Sequence, residues 1–181
     1  MDTTLQVALL RGVNVGRHQR IEMAGLRELL TDLGYGHVRT HLNSGNAVFT
    51  NTATAPERAG RDIQDAIAVH LGLTVPVLVR TAAELAAVVA ADPLAGIADN
   101  PSRYLVAFLS AAPEPGLTTG LDPAAYAPEV FHFGDREIYL WLPDGVIASR
   151  IGHTFWEKRL NVTATARNWN TVTRLATLAA G

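Results

Sequence analysis

Val38-Arg-Thr-His-Leu42, Asn43-Ser-Gly-Asn46 and Ala47-Val-Phe-Thr50 read as two strands and the turn between them. β-Branched and aromatic residues suit extended backbone, and an Asn/Ser/Gly cluster supplies the turn. Upstream, Met23, Leu26, Leu29, Leu30 and Leu33 recur at helical spacing, and Gly34 stands where a helix closes in left-handed backbone. Residues 5–10, before that helix, are an apolar run of strand length. Downstream, Thr54-Ala-Pro56 opens a helix whose inward stripe is Ala59, Ile63, Ala66, Ile67 and Leu71, and residues 75–80 form a further strand. The order β-α-β-β-α-β predicts an α+β fold with a ferredoxin-like unit, in which two split βαβ halves share one antiparallel sheet and both helices cover one face.

Beyond this unit, a helix over 82–91 leads through a Pro- and Gly-containing linker to a strand at 104–109. A short helix at 122–126 and strands 130–133 and 138–142 around Gly134-Asp135 follow, then a helix at 155–160 and an extended piece at 162–165. A final helix, 169–179, carries Trp169, Val172, Ala176 and Ala179 as its inward stripe. The elements come in the same order as before, so the second half is expected to be a related βαββα(β) unit with a C-terminal helix. The expected organisation is 1–80, a connecting helix and linker over 81–101, and 102–181.

With 181 residues, 48% of them hydrophobic and 18% charged, the chain has enough apolar surface to fold. It holds no cysteine, which excludes disulfides, thiolate metal sites, iron–sulfur clusters and cysteine nucleophiles. Asp2 and a short apolar run do not make a secretory leader, and Glu84 and Asp92 interrupt the most apolar stretch well short of a membrane span. A cytoplasmic protein without membrane attachment is expected. Net charge is −2, distributed as +1 over residues 1–50, −7 over 51–144 and +4 over 145–181. Fourteen of the fifteen basic residues are Arg, whose planar fork suits carboxylate and phosphate, although a coding bias towards Arg explains the count equally well.

In a ferredoxin-like unit the loop after strand one and the hairpin between strands two and three share an edge. That brings Arg11, Gly12, Asn14, Gly16 and Arg17 towards Asn43, Ser44 and Asn46, beside the first helix's N-terminus and its free N–H groups. Strand, glycine-rich loop and helix start form an anion cradle. Arg11 and Arg17 would hold the charge, the three Asn would orient donors and acceptors, and the two Gly would admit the backbone. The alternative is that the glycines only turn the chain and Asn14 and Asn46 cap backbone groups in tight turns. The glycines match neither a Walker A loop nor a dinucleotide fingerprint, and no cofactor is expected.

Near the C-terminus, Asn168 is a natural N-cap for the last helix, leaving Arg167 and Asn170 as outward polar candidates that could complete the anion site. Pairing of Arg167 with an acid is the competing use. Catalytic candidates are His41, and His153 with Glu157 at i, i+4. His37 and His41 would share a strand face, but no metal site is expected because no third ligand stands at diagnostic spacing. RNA-recognition modules share this element order yet stack bases on central-strand aromatics; here strand one has none and strand three offers only Phe49. The leading expectation is a small anionic ligand, with or without a reaction on it. Nucleic-acid binding and an oligomeric interaction protein are the alternatives.

Four stretches taken together, Val7-Ala-Leu-Leu-Arg-Gly-Val-Asn-Val-Gly16, Met23-Ala-Gly-Leu-Arg27, Asn43-Ser-Gly-Asn46 and Thr165-Ala-Arg-Asn-Trp-Asn-Thr-Val172, resemble the bacterial domain-of-unknown-function family 1697 nearly end to end. The family usually has Gly-Gly where this chain has Gly16-Arg17, and Gln where it has Asn43. The resemblance implies a family and no activity.

Overall fold

The computed structural model describes residues 4–52 and 54–181. They fall into two units: the described residues up to Ala87 with Leu175–Gly181, and Val88–Arg174. The first unit comprises β1 (Thr4–Leu10), α1 (Met23–Asp32), β2 (Gly36–Thr40), β3 (Asn46–Asn51), α2 (Pro56–Leu71) and β4 (Val77–Thr81), and α3 (Ala82–Ala91) follows directly. Its sheet runs β2-β3-β1-β4 with every neighbouring pair antiparallel. Ala8, Leu10, Ala47, Phe49 and Val79 on one face pack with Leu26 and Leu30 of α1 and Ile63 and Ile67 of α2, so both helices cover that face. Helix α1 ends as its sequence dictates: Gly34 has φ +87° and Tyr35 N donates to Leu30 O. Helix α2 opens on Pro56 and closes at Gly72 in left-handed backbone.

The second unit comprises β5 (Tyr104–Leu109), α4 (Pro115–Thr118), a 3₁₀ turn (Pro123–Tyr126), β6 (Val130–Phe133), β7 (Glu137–Trp141), α5 (His153–Leu160), β8 (Ala164–Asn168) and the start of α6 (Trp169–Ala179). The division falls inside α3 and α6. Its antiparallel order, β6-β7-β5-β8, reproduces the first sheet strand for strand. The registers agree as well: Val7 pairs with Arg80 and Val48, and Val106 pairs with Arg167 and Tyr139. Leu105, Ala107, Ile138 and Leu140 pack with Trp156 and Leu160 of α5.

Four expectations change. The extended piece lies at Ala164–Asn168 rather than 162–165, so Arg167 is a strand residue, 8% exposed, and not an outward one. The stripe of α6 is Val172, Leu175 and Ala179, with Ala176 and Trp169 only half-buried. Trp169 stacks on Tyr104 at 4.5 Å between ring centres. Finally, β2 ends at Thr40 and carries a bulge between Gly36 and Arg39, with His37 at φ +48°; the extra residue interrupts the alternation that would align His37 with His41.

Candidate functional site

At the C-terminal end of β1 the loop 11–21 is fastened on two sides. Leu10 N donates to Gly45 O at 2.8 Å, joining β1 to the hairpin, and Arg11 N donates to Pro76 O at 2.9 Å. Gln19 Nε2 reaches Thr74 O at 3.0 Å, ahead of β4. Asn14 is the centre of the arrangement. Its Nδ2 donates to Ile21 O at 2.8 Å and Asn43 O at 2.6 Å, and its Oδ1 accepts from Ile21 N at 3.0 Å. The backbone there is left-handed, φ +56°, a conformation Asn tolerates better than most side chains.

Asn46 begins β3 fully buried, and its Nδ2 donates to His41 O at 2.9 Å and Ser44 Oγ at 3.0 Å. Gly12 and Gly16 both have positive φ, and Gly16 O accepts from Arg20 Nη2 at 3.3 Å. Gly45 is required outright: at φ +80°, an added Cβ would lie 2.5 Å from Val13 Cγ2 and 2.7 Å from Leu10 Cβ.

This scaffold leaves a groove of about 470 Å³ lined by Asn14, Arg20, Ile21, Glu22, Met23 and Asn43. It opens at the start of α1, whose N-cap, Glu22, makes no side-chain capping bond. The first N–H groups of α1 therefore keep their partial positive charge with no capping bond from the N-cap side chain. The groove's cation is Arg20; Arg17 stands exposed on the same loop and Arg11 is half-buried at the end of β1. Sequence reading passed over Arg20, Gln19 and Ile21, although Arg17-His-Gln-Arg20 repeats the cation three residues on.

Of the remaining candidates, His41 follows β2 in the first unit, where its carbonyl accepts from Asn46 Nδ2, and the others belong to the other unit. Arg167 Nη1 donates to Thr165 Oγ1 at 2.8 Å and Ala166 O at 2.9 Å, and burial pulls its guanidinium down to about 10. Asn168 caps α6, accepting from Thr171 N at 3.0 Å, and Asn170 is exposed near Ser102. His153 opens α5, while the Glu157 carboxylate accepts from Ala164 N at 2.9 Å and so ties α5 to β8. Among the described residues no three His, Asp or Glu side chains gather to hold a metal ion, and no helix is long and apolar enough to cross a membrane.

Two four-stranded antiparallel sheets of one topology, each with its own helix layer, define an α+β protein built of two related units. The chain belongs to the family described as protein of unknown function (DUF1697), whose model matches residues 3–139. Among solved structures it is similar to the conserved bacterial protein SP0830 from Streptococcus pneumoniae. The two are 22% identical with a TM-score of 0.69, over 98% of this chain and 99% of that one. That likeness is one of fold. No curated protein matches it in sequence.

Proposed function

We propose that the first unit binds a small anion, a phosphate or carboxylate borne by a metabolite, in the groove between Arg20 and the start of α1. The observation that carries this reading is the uncapped α1 start opening onto a polar groove with a guanidinium in its wall. Arg17 and Arg11 raise the local potential, and the loop is held in shape by Asn14, so little ordering entropy is lost on binding. Asn14 and Asn46, whose amides bond backbone and Ser44 groups, position the loop, and Asn43 stands at the rim. Glu22 lies in the same wall and opposes the anion, which favours a singly charged ligand over a highly charged one.

The test is an NMR titration of the full chain with inorganic phosphate, acetate, sugar phosphates, nucleotides and short oligonucleotides at low and moderate salt, following the amides of Met23, Ala24 and Gly25. Saturable shifts with a small anion are expected, weakened about tenfold by Arg20→Ala. Glu22→Gln should tighten binding roughly threefold. Shifts produced only by oligonucleotides and fading steeply with salt would replace this reading with nucleic-acid binding. No saturable shift with any of them would end it.

A further inference from the structure

We propose a second small-molecule site, in the other unit and independent of the anion groove: a pocket for a small aryl carboxylate between the 3₁₀ turn Pro123–Tyr126 and α5. Where the first unit places the ten-residue α1 between its first two strands, the second has only the four-residue α4 and the four-residue 3₁₀ turn. Two short turns cover less of a sheet than one helix, and an open pocket of about 330 Å³ remains beside α5. Its apolar wall is Leu121, Tyr126 and Phe155, all half-buried against the core of that unit.

The wall is pre-built. The Tyr126 ring stands edge-on to Phe131 at 5.7 Å and to Phe155 at 5.8 Å, and the Arg150 guanidinium lies 5.9 Å above it. Arg150 is itself fixed by Glu129 and by the carbonyls of Ala125 and Ala127.

Charge selects the ligand. Arg159, in the last turn of α5, lines the pocket, is exposed, and has no hydrogen-bond or ion-pair partner among the described residues. The other charged group in the lining, Asp122, has its carboxylate occupied as the cap of the 3₁₀ turn, accepting from Ala124 N at 3.0 Å. One available guanidinium beside aromatic rings, with a carboxylate near by, suits a monoanion whose aryl group lies on the wall and whose carboxylate meets the Arg fork.

The probe is phenylacetate, titrated into the full chain while the amides of Leu121, Ala125, Tyr126 and Phe155 are followed by NMR. Saturation in the millimolar range is expected for a ligand this small. Arg159→Gln, an exposed substitution whose spectrum away from the pocket should be unchanged, should weaken binding about tenfold, and neutral phenylacetamide should bind the wild type about tenfold more weakly. Acetate should leave these amides unmoved at the same concentrations. The proposal fails if the shifts do not saturate, if they map to the first unit, if phenylacetamide or acetate matches phenylacetate, or if Arg159→Gln binds as the wild type does.

Discussion

Gly45 and Asn14 do more for the candidate site than its cations do, because they set the shape of the loops that carry those cations. Gly45→Ala adds a methyl group into Val13 and Leu10 at a left-handed position, and a loss of about 2–4 kcal/mol in urea unfolding is expected. Asn14→Gly keeps the backbone freedom and removes three side-chain hydrogen bonds, for an expected loss of about 1.5–3 kcal/mol; Asn14→Ala should lose more, since its methyl group must also adopt φ +56°. A cost below 0.5 kcal/mol for Asn14→Gly, by the same measurement, would mean that the loop holds its shape without the amide. The asparagines and glycines were legible in the sequence as residues of tight turns. Their partners were not: Ile21 O and Asn43 O, which Asn14 meets, and His41 O, which Asn46 meets, are backbone atoms, and a backbone acceptor has no residue-type signature.

Among the elements, the two helices that follow the last strand of each sheet start by related means. Thr81 and Glu84 form a reciprocal capping box on α3: Glu84 N donates to Thr81 Oγ1 at 3.1 Å and Thr81 N donates to Glu84 Oε2 at 2.7 Å. On α6, Asn168 alone plays the part, through Thr171 N. Glu84→Ala and Asn168→Ala should each cost about 1 kcal/mol in thermal or urea unfolding. Adding Thr81→Ala to Glu84→Ala should cost less than the sum of the two, because either one alone already removes the Thr81 Oγ1–Glu84 Oε2 bond at 3.1 Å that the two side chains share.

Periodicity located β1, the hairpin, α1 and α2 to within a residue or two. It misplaced β8, since Val162, Ala164 and Ala166 alternate with Thr163, Thr165 and Arg167 without a break, and only the pairing with β5, from Ala164 to Asn168, sets where the strand starts and stops. The bulge in β2 was likewise invisible, because nothing in Gly36-His-Val-Arg39 marks the extra residue.

Across the whole molecule, the shared register of the two sheets puts an arginine at the same place in each: Arg80 opposite Val7 and Arg167 opposite Val106, 3% and 8% exposed. Burial also raises the phenols of Tyr35, Tyr104 and Tyr139 above their ordinary value; Tyr104 donates to Asp92 at 2.9 Å and Tyr139 to Val88 O at 2.8 Å. An unfolded tyrosine loses its proton near pH 10 while these keep theirs, so the native state binds more protons and stability falls as pH rises past about 10. Arg167 acts with the opposite sign: its folded value, about 10, lies below the unfolded one, and its contribution rises over that range. Three phenols outweigh one guanidinium, and net alkaline destabilisation is expected in urea titrations between about pH 9 and 11. Tyr139→Phe should remove up to about 1.4 kcal/mol per pH unit of that slope. A slope unchanged in the variant would show that Tyr139 ionises alike in both states.

The sequence by itself determined the order of elements, the helix stop at Gly34, and the repetition of one plan in two halves. Each of these is written in apolar spacing, turn residues and caps that act over a few positions along the chain. Only the tertiary structure decided that the two sheets share strand order and register, that Arg167 lies buried in β8 and not on the surface, and that Arg20 lines the groove. Burial, pairing and the lining of a groove are relations between segments far apart in sequence, and local pattern does not encode which distant atoms a side chain will meet.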